Sequence, residues 1–262
     1  MDIKKQLSSL VTIKGDLPVQ VKYGLYALYI LLFVILWESA AGVAIRPFSE
    51  IFESLGVLWF EKGLAVDIGQ SLQLNLVALA STITLTLITS YLSIFPFWRP
   101  IAFAISKGRF LGLLGLNFIF IELFGLGFEM KVALLTFGIT VFYLTSMYSI
   151  VQEIPESKLD YARSLGLSKG QIVWQVVIRG TADQMLETLR QNAAIGWMMI
   201  TAVEGIVKSG GIGDLLWNSN KHFDRGEVLA IIFCILAIGI FQDIFLKTMK
   251  KIITPHAISE KH

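Results

Sequence analysis

Cysteine is nearly missing from this chain: Cys234 is the single one among 262 residues. That excludes an intrachain disulfide framework and a cysteine-rich metal site, and its place inside an apolar run assigns it to helix packing. The three histidines, His222, His256 and His262, lie in polar or terminal stretches without the spacing of metal ligands. Charge is scarce as well. Asp, Glu, Lys and Arg make up 16% of the chain, against about a quarter in a soluble domain. The 22 basic and 20 acidic side chains leave a net charge of +2, which points neither to nucleic acid nor to a polyanionic substrate. No Gly-x-x-x-x-Gly-Lys-Ser/Thr phosphate loop occurs, so nucleotide chemistry is expected on another chain. No internal repeat, low-complexity tract or Pro/Ser-rich linker divides the sequence, which reads as one domain over residues 1–262.

What fills the chain instead is apolar: 55% of its residues, with a mean hydropathy of +0.67. The solvent for such a surface is the lipid bilayer. A helix crosses the hydrocarbon layer in roughly 20 residues, and six stretches qualify or nearly do. Tyr23–Ile45 is interrupted only by Glu38, while Leu72–Trp98 and Val132–Val151 carry no charge. Phe110–Ile121, Gln191–Val203 and Val228–Gln242 are shorter between charges, and each reaches full length by absorbing one ionisable residue. The first stretch exceeds the apolar core of a secretory signal and follows a polar leader, so it is read as a span.

Basic residues orient the bundle, because short cytoplasmic segments retain Lys and Arg. With six crossings, only Arg46, Lys62, Lys131, Lys208, Lys221 and Arg225 fall on the side away from the N-terminus, and the other sixteen fall on the N-terminal side. Both termini are therefore expected in the cytoplasm, with a leader at 1–21 and a tail at 252–262.

Between the fourth and fifth expected spans runs a long polar insertion, 152–180. Pro155 suits a helix start, Leu159, Ala162 and Leu165 share one helical face, Gly166 permits a sharp turn, and a second helix can begin at Ser168. By pattern alone this segment either offers an apolar knob to a groove on a soluble partner or lies on the membrane surface.

Asp160-Tyr161-Ala162-Arg163-Ser164-Leu165-Gly166, followed by Val176-Val177-Ile178, resembles the EAA loop of binding-protein-dependent ABC permeases. In detail the chain is similar to the nitrate, sulfonate and taurine branch. Leu36-Trp37-Glu38, Arg46 to Ile51, Gln70-Ser71-Leu72, Phe124 to Gly127, Trp197, Ala202-Val203-Glu204, Gly210-Gly211-Ile212-Gly213 and Gln242-Asp243 fall in that branch's order. Asp160 and Tyr161 depart from the family's Glu-Ala, and Arg179 stands where a proline is usual. The resemblance implies an all-α integral membrane protein of the type I importer permease fold, with six transmembrane helices and a cytoplasmic coupling helix between spans four and five. It implies that Pro155, Leu159, Asp160, Tyr161, Ala162, Arg163, Leu165 and Gly166 form the contact with an ATPase subunit. It further implies a second permease copy, an extracytoplasmic solute-binding protein, a bacterial inner-membrane location, and ATP and Mg on the ATPase, with no cofactor on this chain.

Polar residues at membrane depth are candidates for the solute path: Gln73, Asn75, Asn117, Glu122, Gln191, Asn192 and Glu204. Interhelical hydrogen bonding is the alternative for each. Gly108, Gly112 and Gly115 are expected to seat a neighbouring helix. Two rival functions, a membrane-embedded enzyme and a secondary carrier, lack respectively a clustered catalytic constellation and an inverted repeat.

The charge asymmetry generates a topology prediction. In a Cys234→Ser background, Ser9→Cys and Ser259→Cys should resist an impermeant thiol reagent in intact cells and react after permeabilisation. Efficient labelling of intact cells at either position would overturn the orientation.

Overall fold

A computed structural model of the protein describes residues 19–42 and 45–254. The expected leader and tail fall largely outside these residues. Helices are the regular elements of the described chain, as lipid requires when backbone groups must be satisfied within their own segment. In order they are α1 (Val19–Ser39), α2 (Phe48–Phe60), α3 (Leu64–Leu92), α4 (Arg99–Ser106), α5 (Leu113–Phe124), α6 (Phe128–Gln152), α7 (Glu156–Ser164), α8 (Lys169–Ile172), α9 (Arg179–Val207), α10 (Ile212–Lys221) and α11 (Arg225–Ile253). A 3-10 turn, Lys107–Phe110, extends α4, and a π-helical stretch, Val173–Ile178, joins α8 to α9.

α6 is the axis of the bundle. Of its most apolar window 56% is buried, against 0% for α1, so α1 is peripheral. It is held chiefly at its C-terminal end, where Trp37 Nε1 donates to the Arg46 carbonyl at 2.9 Å and its ring packs on Phe48 and Phe233. The main core joins α3, α6 and α9 through Leu74, Ala78, Ile139, Tyr143, Ala193 and Ile200. Two glycines permit that approach. A Cβ on Gly138 would stand 2.9 Å from Met199 Sδ and 3.1 Å from Leu113 Cδ2, and one on Gly196 would stand 3.0 Å from Ile139 Cδ1. The expectation for Gly108, Gly112 and Gly115 holds at Gly108 alone; the other two face open space.

Among the described residues four helices, α1, α3, α6 and α11, are long and apolar enough to cross a membrane, and Arg99–Phe110 with Gly115–Phe124 make a fifth if that pair, bent by 115°, is one broken span. The expected span Gln191–Val203 lies within α9, a helix of 29 residues whose first half carries Asp183, Glu187 and Arg190. Both boundaries of α3 differ from expectation. α3 begins at Leu64 rather than Leu72 because Asp67, which reads as a barrier, has its carboxylate engaged by the Gly211 amide. The same helix ends at Leu92, before the turn that holds Pro96.

Gly138→Val should lower stability by about 1–3 kcal/mol, the usual cost of overpacking a core, read as a lower melting temperature in detergent. Gly115→Ala, with open space at its Cβ, should stay within about 0.5 kcal/mol. Equal effects would contradict the described α6–α9 contact.

Candidate functional site

The segment after α6 is built by local rules. Pro155, with φ −62° and ψ 134°, sets the start of α7, and Glu156 occupies its first turn. Gly166 ends it with φ +75°, a left-handed conformation that an L side chain resists. The Leu167 amide then donates to the Ala162 carbonyl at 3.2 Å and the Gly166 amide to the Arg163 carbonyl at 2.9 Å, which is the Schellman pattern. α8 follows under a capping box, with the Ser168 amide on Gln171 Oε1 at 2.8 Å and the Gln171 amide on Ser168 Oγ at 3.4 Å. Asp160 and Arg163 pair at 2.5 Å along α7.

One expectation about this segment needs correction. Leu159, Ala162 and Leu165 do not present one outward face: Ala162 is 3% exposed and Leu159 half-buried, because α7 folds back on α8 and the π-helical stretch. The outward apolar groups are Tyr161, 66% exposed, and Leu165, 62% exposed.

At the opposite end of the bundle, four successive backbone amides are answered by four side chains. Gly210 N donates to Asp214 Oδ2 at 2.9 Å, Gly211 N to Asp67 Oδ1 at 3.0 Å, Ile212 N to Ser71 Oγ at 2.9 Å and Gly213 N to Glu204 Oε2 at 2.8 Å. Ser71 Oγ also donates to the Glu204 carboxylate, at 2.7 and 2.8 Å to its two oxygens. The buried Lys131 ammonium donates to the Gly210 carbonyl at 2.6 Å. Gly210 and Gly211 have φ of +87° and +102°, and a Cβ on Gly213 would stand 2.6 Å from the Thr201 carbonyl oxygen, so side chains are excluded here by conformation and by contact. A polar cavity of about 290 Å³ opens beside this clasp, lined by Gln70, Lys131, Glu204 and Phe128 among others.

The expected path residues separate into two groups. Glu204 is 1% exposed and held by the clasp. Asn75 and Asn192 are also buried: Asn75 Nδ2 donates to Gln242 Oε1 at 2.5 Å, an acceptor shared with Trp197 Nε1 at 2.6 Å, and Asn192 Nδ2 donates to the Thr188 carbonyl at 2.8 Å. Gln73, Gln191 and Glu122 are exposed on the single chain, and Asn117 is half-buried with its Oδ1 unpartnered among the described residues.

An ionic network at the α7 end escaped the sequence reading. Arg190 bridges Glu187 and Asp243, each at 2.6 Å, and Lys250 bridges Asp183 at 3.1 Å and Glu187 at 3.0 Å, tying α9 to α11. Hydrogen bonds from Arg190 and then Lys250 hold the Glu187 carboxyl, outside the apolar stretch of α9, down to about 2. The spacing of Asp183, Glu187 and Arg190 along one helix face was the available signal.

Residues 25–255 match the model of a family described as binding-protein-dependent transport system inner membrane component. Among curated relatives, the taurine transport system permease protein TauC of Escherichia coli (strain K12) is 27% identical over 132 residues, 50% of this chain and 48% of that one. The nitrate import permease protein NrtB of Synechocystis is 23% identical over 125 residues, 45% and 46% of the two chains. The bicarbonate transport system permease protein CmpB of Synechocystis is 28% identical over 127 residues, 45% of each. The chain spans about half the length of the curated relatives it matches. A chain of the MetNI methionine ABC transporter in inward-facing conformations superposes with a TM-score of 0.63 at 14% identity, covering 76% of this chain and 98% of that one, which shows the fold.

The clasp predicts a graded response. Glu204→Ala removes the acceptor of Gly213 N and Ser71 Oγ and should cost about 2 kcal/mol or more, whereas Glu204→Gln keeps one carbonyl acceptor and should cost less. Gly213→Ala should be at least as damaging as Glu204→Gln, because backbone bounds its Cβ. Melting temperatures of the purified chain would order the three, and wild-type stability for Glu204→Ala would refute the structural role.

Proposed function

The chain belongs to the family of binding-protein-dependent transport system inner membrane components, and from that premise we propose that it is the membrane-spanning permease subunit of an ATP-driven importer of the ABC type. The observation that carries this reading is the α7–α8 turn, which leaves Tyr161 and Leu165 outward beside the Asp160–Arg163 pair on a segment closed by a Schellman turn and a capping box. A small apolar knob ringed by charge suits a groove on a soluble subunit. The sequence has no phosphate loop of its own, so ATP and Mg belong to that ATPase subunit.

On this reading α9 is the fifth span in chain order and brings the total to six, the α7 end and both termini face the cytoplasm, and the glycine-loop end faces an extracytoplasmic binding protein. Residues 1–262 form one permease domain, with 152–180 as its coupling loop. α9 supports pairing with a second copy: Gln184, Gln191, Ala194 and Met198 form an exposed stripe of polar, small and adaptable residues, unlike a lipid-facing surface. The solute path then runs between copies, and Gln191, Gln73 and Glu122 are better placed to meet it than the clasped Glu204.

The continuous helical run from Lys169 to Val207 supplies the coupling. One end carries the docking turn and the other carries Glu204, so closure of the ATPase pair moves α9 as a lever against the clasp. The solute belongs to the class named for the relatives, which are taurine, nitrate and bicarbonate permeases: small molecules with an oxyanion group.

Leu165→Asp and Tyr161→Ala should each weaken association with the ATPase by about 2 kcal/mol, roughly thirtyfold, the scale of an interface hot spot. Ala162→Asp and Gly166→Val should instead destabilise the segment itself, the first by burying a charge and the second by straining φ. Co-purification of the ATPase and solute-stimulated ATP hydrolysis in liposomes provide the readout. Wild-type behaviour of the Leu165→Asp, Tyr161→Ala double variant would exclude this surface as the contact.

A further inference from the structure

The break between α4 and α5 sets two cations, Lys107 and Arg109, level with the midpoint of α6, although the charge asymmetry counts both among the cytoplasmic basic residues. Gly108 lies against the centre of α6, where a Cβ on it would stand 3.0 Å from Val141 Cγ1 and 3.5 Å from Phe137 Cζ. The Thr145 hydroxyl donates to the Ser106 carbonyl at 3.2 Å, and the Phe103 ring lies 6.4 Å from that of Tyr148. The segment therefore climbs α6 from its Tyr148 end to its midpoint. Val141 lies between Val132 and Val151, which bound the uncharged stretch of α6, and is roughly 15 Å from each at 1.5 Å per residue. That is half of a hydrocarbon layer about 30 Å thick.

Lys107 and Arg109, on either side of Gly108, are both exposed on the single chain. Lys107 Nζ stands 4.5 Å from the Phe103 ring centre and Arg109 Cζ 5.0 Å from that of Phe110. Neither belongs to any ion pair among the described residues, and no Asp or Glu occurs from Ile94 to Ile121. Aromatic faces hold these cations in place without neutralising them. The backbone opens at the same depth: a 3-10 turn gives way to extended Leu111 and Gly112. Non-helical backbone at this depth is tolerated only inside protein or along a water-filled cavity, and charges there face an interior rather than lipid.

We infer that Lys107 and Arg109 form a mid-membrane site on the solute path that binds a small oxyanion in transit. The inference rests on the importer reading and deepens it to a residue-level site. Two unpaired positive charges supply the attraction, and the lack of a built oxyanion cage leaves the ion free to move on, as conduction requires. The clasp holds the Glu204 carboxyl on Ser71 Oγ and the Gly213 amide with Lys131 nearby, which offsets the repulsion it would exert on an anion.

The test places a thiol beside both cations: Phe110→Cys in the full-length Cys234→Ser chain, in membrane fragments of expressing cells. Anionic methanethiosulfonate ethylsulfonate and cationic methanethiosulfonate ethyltrimethylammonium are compared, each normalised to a free small thiol. The sulfonate reagent should react about tenfold faster, millimolar nitrate should slow it, and Lys107→Gln with Arg109→Gln should bring the two rates together. Leu111→Cys gives the same reading if Phe110→Cys does not fold, and Ser157→Cys on α7 reports reagent access. Absence of reaction at both 110 and 111, equal rates for the two reagents, or indifference to nitrate would each overturn the site. The assay needs no ATPase. A lipid-facing thiol in a chain that still co-purifies with an ATPase sinks the site alone, and a nitrate-protected thiol in a chain that binds no ATPase sinks the importer reading alone.

Discussion

Hydrocarbon offers a peptide group no hydrogen-bond partner, and an amide left unanswered there costs several kcal/mol. The architecture follows from that demand. Along α3, α6, α9 and α11 the answer is internal to each helix. At two of its turns other partners stand in for the missing helical bonds. Asp214, Asp67, Ser71 and Glu204 take the amides of Gly210 to Gly213, and a Schellman turn followed by a capping box does the same between α7 and α8. The ladder also opens at Leu111 and Gly112, far from either end of α6 and beside two exposed cations.

The two ends of α9 are fastened by different means. Its Glu204 end is bound by buried hydrogen bonds to a charged acceptor, which are among the stronger non-covalent contacts. Its other end meets α11 through partly exposed ion pairs, each of which contributes little. On the importer reading the end held by these ion pairs is the one that adjoins the docking turn.

Four acids of this protein hold its shape. Glu204, Asp67 and Asp214 each hold a backbone amide, and Glu227 is enclosed by Lys62 and Ser219 at the start of α11. Residues that carry the family resemblance from distant parts of the chain, Ser71, Glu204 and Gly210 to Gly213, meet in a single clasp. Their common order along the sequence reflects one three-dimensional contact.

The sequence by itself determined the class of molecule and its locally decided features. The apolar runs behind α1, α6 and α11 are legible because the cost of placing charge in lipid acts residue by residue, and the Gly166 turn and Ser168 start are legible because caps are settled within a few residues. Only the tertiary structure decided the remainder. Asp67 reads as the limit of a span until its partner Gly211, 144 residues away, is known, and nothing in the sequence joins Glu204 to Ser71, 133 residues away, whose hydroxyl donates to it. Ala162 turned inward for a similar reason, since the face a short helix buries depends on what folds back against it. A sequence pattern counts each polar group as a cost to be placed somewhere; the fold supplies the distant partner that cancels the cost, and that partner is what fixes where the group can go.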